Sequence, residues 1–442
     1  GTCMIKLRRS IGVAAFAATL FLVGGVGAWR SFRDAPVAAT TTGADALVAP
    51  VAGASLEQTI ADLQTRLQAQ PDDARSLALL GLAYAQEATH TADPSYYPKA
   101  EEALQRSLEL QPDGNVEALV GMGVVALARH DFAGGVRWGR LARQANPDAA
   151  HILGVIGDGQ LELGHYQRAF ATFHTMVSMR PDVASYARLS YARELVGDVR
   201  GALATMRQAA DAAGTPDDAA WVSYQIGELS FRSGRLSAAA YAYRRAAALS
   251  PTFVPAEAGL AKIAWARGHV DRAIRGYRRV VDRYPLPEHV IALGDLYTIE
   301  GRTAQAYDAY ALARAEAALF RSNGVNVDVE LALFEADHKE PVAALTDARA
   351  GWRSRHSIHA ADALAWALYR NGLPRPAARL ERQALRLGTQ DALSFYHAGM
   401  IALRLGNRDE ARRMLTHALA INPHFSILFT TPAQRTVARL HR

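Results

Sequence analysis

The residues best placed to do chemistry are a few histidines and carboxylates in the last third of the chain. Asp337 and His338 are adjacent, and His356 and His359 follow three residues apart. A bound metal ion needs three or four such donors converging at fixed geometry. This spacing matches no strong ligand pattern, so solvated loop histidines are the plainer reading. Gly121-Met122-Gly123 comes nearest to a phosphate-cradling loop, but it lies inside a helical period with no strand ahead of it. Serines, carboxylates and histidines occur without any local motif joining a nucleophile to a base. The single cysteine, Cys3, stands outside any plausible folded region. That removes disulfides, thiolate zinc sites and cysteine catalysis from the fold. The sequence predicts no catalytic residue, no cofactor and no metal, and leaves recognition as the chemistry open to it.

Charge and composition narrow the kind of recognition. The 442 residues carry 49 Lys and Arg against 43 Asp and Glu, a formal charge of +6. The two signs are interspersed, as on a solvated helix surface, and no basic stripe of the kind nucleic acid requires is present. Half the residues are apolar, with alanine abundant throughout and few β-branched runs, which points to helices.

The first 33 residues read as an export segment. Lys6, Arg8 and Arg9 precede an uncharged stretch from Ser10 to Trp29. Basic residues ahead of such a core mark a signal peptide or a signal anchor. Val26-Gly27-Ala28 would suit cleavage, whereas Arg30 and Arg33 resemble the flank of a retained anchor, and the residues leave both open. Met4 reads as the natural start, with Gly1-Thr2-Cys3 as an added remnant. Either way the rest of the chain is expected outside the cytoplasm, periplasmic or at the cell surface, and membrane-anchored or secreted. Residues 34–54, rich in Ala, Thr, Pro and Val, read as a flexible linker. Residues 55–72 form an N-terminal capping helix with Leu56, Ile60, Leu63 and Leu67 on one face and Ser55 as its N-cap.

An internal repeat organises residues 73–425. Prolines closing helix-like stretches recur at Pro112, Pro147, Pro181, Pro251, Pro285 and Pro423, at or near multiples of about 34 residues. Within each unit a small residue on a first helix is followed, usually twelve positions later, by one on a second helix. The pairs are Gly81 with Ala100, Gly123 with Gly135, Gly157 with Ala169, Ser190 with Ala202, and Gly227 with Ala239. Ala261 with Ala273, Gly294 with Ala306, Ala332 with Ala344, Ala365 with Ala377, and Gly399 with Ala411 complete them. Antiparallel helices cross closely only where the contact residues are small. Leu104, Phe173, Met206, Tyr243, Tyr277, Tyr310 and Leu415, four positions beyond, fill the gap to the next hairpin. A single hairpin cannot bury its apolar face, so stability comes from stacking. The unit around Ala332 lacks its closing proline, and an insertion over residues 90–98 lengthens the first loop. Residues 426–442 make a C-terminal cap with a basic tail. Nothing outside the repeats is long enough for a catalytic domain.

This pattern resembles the tetratricopeptide repeat family, most closely at Leu80-Gly81-Tyr84 with Ala100 and at Leu293-Gly294-Tyr297 with Ala306 and Tyr310. The resemblance implies an all-α fold, a right-handed α-solenoid or superhelix of about ten helical hairpins. It further implies that the first helices of successive hairpins line a concave groove that takes a partner protein or peptide. The groove positions fall on Tyr191, Glu194 and Leu195 in the fourth unit and on Trp221, Tyr224, Glu228, Phe231 and Arg232 in the fifth. Lys262 and Trp265 follow in the sixth, Glu288 and Asp295 in the seventh, and His359, Asp362, Trp366, Tyr369 and Arg370 in the ninth. Aromatic side chains with charges between them are typical of binding hot spots. The competing reading is that tight curvature buries some of them between repeats. Apart from Asn326, no asparagine stands where family members clamp a C-terminal carboxylate, so that mode is not implied. The expected role is a non-enzymatic, membrane-tethered scaffold for a protein or peptide partner, not a nucleic-acid binder. The alternative is a sensor or carrier of a peptide or small ligand. The residues leave oligomeric state open.

Overall fold

The computed structural model describes residues 56–441, so the expected export segment, the linker and Ser55 lie outside it. Among the described residues every regular element is a helix, and no helix is long and apolar enough to cross a membrane. The chain begins with α1 (Leu56–Ala69) and ends with α22 (Thr430–Leu440). Between them run ten antiparallel pairs. The first five are α2 and α3 (Ala74–Thr91, Tyr96–Leu110), α4 and α5 (Val116–Ala128, Phe132–Ala145), α6 and α7 (Ala150–Glu162, Tyr166–Met179), α8 and α9 (Val183–Leu195, Val199–Asp211), and α10 and α11 (Pro216–Arg232, Leu236–Leu249). The second five are α12 and α13 (Val254–Ala266, Val270–Arg283), α14 and α15 (Pro287–Ile299, Thr303–Ser322), α16 and α17 (Asp328–Asp337, Pro341–Ser354), α18 and α19 (Ile358–Arg370, Pro374–Ala384), and α20 and α21 (Ala392–Arg404, Arg408–Ile421).

Local signals set these ends. Asp73, Asn115, Asp131 and Asp198 each accept a hydrogen bond from a backbone N–H in the first turn that follows. Asp182 and Ser185 form a reciprocal capping box at the start of α8. Pro216 opens α10 directly after its N-cap Thr215, which is why Gly214-Thr215-Pro216 can replace a plain stop.

The small residues do the packing work the repeat implies. A Cβ on Gly157 would lie 2.3 Å from the Phe173 ring of the facing helix, and one on Gly294 would lie 2.5 Å from Tyr310. Ser190 occupies the same place in α8 and donates its hydroxyl to the Ala202 carbonyl at 2.8 Å. Tyr243 bridges two hairpins, because added Cβ atoms on Gly227 and Gly259 would lie 2.5 and 2.6 Å from its ring. Leu104 does the same between Gly81 and Gly121. The insertion in the first unit is a correction to the sequence reading. It lengthens the helices rather than the loop, since α2 runs to Thr91 and α3 starts at Tyr96. Tyr97 is buried at 4 % exposure in a cluster with Leu286, Val290 and Phe320, which belong to hairpins far along the chain.

That distant contact is one rung of a ladder. The Tyr284 hydroxyl donates to the Thr89 carbonyl at 2.8 Å, and Asn326 N–H donates to the Arg129 carbonyl at 3.0 Å. Ile358 N–H donates to the Tyr166 hydroxyl at 2.7 Å, the Thr389 hydroxyl to the Leu195 carbonyl, and the Asn422 amide to the Phe231 carbonyl at 3.0 Å. The side-chain rungs join residues 191 to 196 apart, which is between five and six hairpins of about 34 residues. The inner turns of the first five hairpins therefore carry the connections that follow hairpins six to ten. One superhelical turn stacks on the next, and the first helices of both turns face a shared axis.

Candidate functional site

Helix α10 contributes most to the axis. Trp221, Gln225, Glu228 and Arg232 recur at helical spacing, so one face carries two nitrogen donors and two charges. Tyr191 and Glu194 approach from α8, Lys262 and Trp265 from α12, and Glu288 and Asp295 from α14. These residues, with Tyr224, Phe231, Leu195 and His359, line one chamber of about 740 Å³. Its far wall comes from the second superhelical turn, through Leu333 and Asp337 of α16, Thr389 to Asp391, and the His424–Ile427 segment.

The chamber's cations are all engaged. Lys262 Nζ donates to both Glu228 oxygens at 2.7 and 2.9 Å, and the Tyr243 hydroxyl donates to the same carboxylate at 2.6 Å. Burial alone would raise the Glu228 pKa, but Lys262 and Arg232 beside it hold it below the usual range. Lys262 also sits 4.7 Å above the Phe231 ring. Arg232 pairs with Glu194 at 2.8 Å, and Arg188 grips Asp158 bidentately at 2.9 and 2.7 Å. Glu288 differs: the charges acting on it are those of Glu228 and Lys262, and Lys262 is already paired. Burial first, and then the Glu228 charge, push its pKa up to about 7. Burial and Lys262 push the neighbouring His289 down to about 3, so it is neutral at physiological pH.

Of the ninth-unit residues His359 reaches the chamber, whereas Asp362, Trp366, Tyr369 and Arg370 do not line it. Trp366 is 1 % exposed, a correction to its place among groove residues. Its ring stacks on His397 at 4.0 Å and on Tyr369 at 4.8 Å, with Phe429 against it at 6.0 Å. Its indole N–H donates to Asp337 Oδ1 at 2.7 Å. The physical reason is that α20 and the segment before α22 cover this stretch of the coil. Arg370 lies 5.7 Å over the Trp366 ring, and Asp362 accepts from buried His397 at 2.8 Å. The histidines weighed as metal ligands are held separately. His338 bonds Asp295 at 2.8 Å, His356 packs on Trp352, and His359 meets the Tyr191 hydroxyl at 3.1 Å.

Sequence reasoning missed Arg188, Asp158, Gln225, His289 and the wall made by residues 424–427. Asp158 and Arg188 carried a signal, as opposite charges one hairpin apart beside Gly157 and Ser190. The C-terminal wall had none, because it reaches the chamber only after the coil has turned once.

The comparisons agree with this architecture. Tetratricopeptide repeat profiles match residues 196–252 and 259–320, and another matches residues 392–425. No curated protein sequence matches the chain. Among solved structures, a human IFIT1 dimer with PPP-AAAA aligns at TM-score 0.45 and 12 % identity over 92 % of this chain and 95 % of that one. The APC/C hetero-tetramer Cut9-Hcn1 aligns at 0.38 and 13 % over 88 and 93 %. A tetratricopeptide repeat protein from Parabacteroides merdae ATCC 43184 aligns at 0.35 and 14 % over 65 and 98 %. Scores this low carry no argument about partner or activity. The matched segments are tetratricopeptide repeats, and the ten packed hairpins share one helical-hairpin architecture, a fold that generally serves as a non-enzymatic scaffold for protein interaction.

Proposed function

We propose that this protein is an extracytoplasmic, membrane-tethered scaffold that captures a segment of a partner protein in its axial chamber and so organises an assembly. The observation that carries the reading is convergence. Aromatic and charged side chains from α8, α10, α12 and α14 meet in one cavity of about 740 Å³ rather than dispersing over the surface. Aromatic anchors desolvated within a recess are where binding energy concentrates. The tether rests on the basic residues Lys6, Arg8 and Arg9 ahead of the uncharged stretch Ser10 to Trp29.

The test is affinity capture of the full chain from its native membranes. A stoichiometric polypeptide should co-purify with the wild type and be lost from the Trp221→Ala, Trp265→Ala double variant while far-UV circular dichroism stays helical. Undiminished capture by that variant would reject the chamber as the docking site. A second reading, a small-ligand carrier or sensor, is favoured by the cavity's size, since small-molecule pockets run about 300–1,000 Å³. Native mass spectrometry separates the two, because a carrier retains a bound small molecule and no protein.

A further inference from the structure

The charge of the chamber differs from that of the molecule. The whole chain is formally +6, yet nine carboxylates and only three Lys or Arg side chains line the cavity. Those three cations are each committed, Arg188 to Asp158, Arg232 to Glu194 and Lys262 to Glu228. Arg355 serves two more lining carboxylates at once, Glu162 at 3.3 Å and Glu330 at 2.6 Å. The balance is a net negative field inside low-dielectric walls, which focuses a cation toward the interior. Glu288 lines the chamber outside these ion pairs, and the Lys262 charge that acts on it is already paired with Glu228.

A second, independent observation concerns donors. Gln225 is 9 % exposed, lines the chamber, and its side-chain nitrogen has no hydrogen-bond partner. The indole nitrogen of Trp221, one helical turn earlier on the same face, is also without an acceptor. A buried donor left unpaired costs about 1–3 kcal/mol. Both groups can only donate here, and the lining carboxylates Glu194 of α8 and Glu228 of α10 are taken up by Arg232 and Lys262. The acceptors that suit them are neutral carbonyl oxygens, spaced as along an extended backbone. A carboxylate-rich ligand would meet the field of the walls instead.

Resting on the scaffold reading above, we infer that the chamber is built for a basic polypeptide segment, whose Lys or Arg side chain ion-pairs with Glu288 while its main-chain carbonyls accept from Trp221 and Gln225. Tyr224 and Tyr277 line the same chamber within electrostatic reach of Glu288. The protein already places a cation over an aromatic ring internally, with Lys262 over Phe231.

The experiment is fluorescence anisotropy of the full chain with three labelled octapeptides, alternating Ala with Arg, with Gln or with Glu. The Arg peptide should bind and the other two should not, and binding should weaken with added salt. Glu288→Gln should lower the affinity about tenfold, Glu288→Asp should retain most of it, and Glu410→Gln on the exposed face of α21 should change nothing. Equal binding of the Gln peptide, or an unchanged affinity in Glu288→Gln, overturns the inference. If the Gln or Glu peptide binds and the Trp221→Ala, Trp265→Ala variant loses it, the chamber still takes polypeptide and only the basic preference fails. If no peptide binds and the double variant still captures the native partner, both readings fail together.

Discussion

Glu288 is the residue whose chemistry the fold alters most tellingly. Its carboxyl pKa rises from the usual 4.5 to about 7, through burial and the Glu228 charge, with only Lys262 opposing. A carboxyl raised in the folded state binds its proton more tightly there than in the unfolded chain. Its contribution to stability is therefore full below about pH 4.5 and is lost as pH rises through about 7. Glu288→Gln removes that loss. The variant should exceed the wild type in stability at pH 8 by on the order of 1–3 kcal/mol, and should match it at pH 4. Urea denaturation at the two pH values checks this, and an equal gain at both would show that the carboxylate is not under strain. Glu228, two hairpins earlier, shows the opposite outcome, because Lys262 answers its charge. Two glutamates in one chamber thus differ by their partners alone.

At the scale of the element, the hairpin depends on what it leaves out. Gly157 faces Phe173, which is 1 % exposed and has no room to swing aside. Replacing glycine by alanine inside a helix gains up to about 1 kcal/mol of propensity. Forcing a methyl to within 2.3 Å of a buried ring costs about 1–3 kcal/mol. The clash wins, so Gly157→Ala should destabilise the protein by about 1–2 kcal/mol. Adding Phe173→Leu should recover part of the loss by making space. Chemical denaturation of the single and double variants measures both. These contacts were legible beforehand, because a small residue paired with a bulky one at fixed spacing follows from how closely two helices can cross. The first unit was misread for a related reason. Its insertion carries polar and proline residues that suggest a loop, but Tyr97 finds an apolar pocket on the following superhelical turn, and the helix extends to reach it.

The whole molecule is decided by the contact between superhelical turns. Arg355 is a buried charge in that contact, with a side chain 7 % exposed, pairing Glu162 of the first turn with Glu330 of the second. Its guanidinium also lies 5.3 Å from the centre of the Phe132 ring. Removing it strands two buried carboxylates, a change that costs about 3–5 kcal/mol when a buried pair is broken. Arg355→Met should therefore loosen the two turns while leaving each hairpin folded. Small-angle scattering should report a larger radius of gyration, with helical circular dichroism retained. Adding Glu162→Gln and Glu330→Gln should restore the compact form. An unchanged radius in the single variant would show that the hydrogen bonds from Ile358 to Tyr166 and from Asn422 to Phe231 hold the turns unaided.

Local chemistry was enough to write down the hairpins. Capping residues, closing prolines, small-residue pairs and the apolar stripes between them act over a few turns of helix, and their spacing repeats in the chain itself. The same reasoning placed Trp221, Glu228, Lys262 and Trp265 on inward-facing helix surfaces. What the chain could not declare is how far it curves before it meets itself, since that depends on small rotations summed over five or six hairpins. That sum turns an open groove into a walled chamber and brings residues 424–427 into its lining, His424 against Trp265. Periodicity is inherited from neighbours along the chain, whereas enclosure comes from residues nearly two hundred positions apart, and only the folded coil sets them side by side.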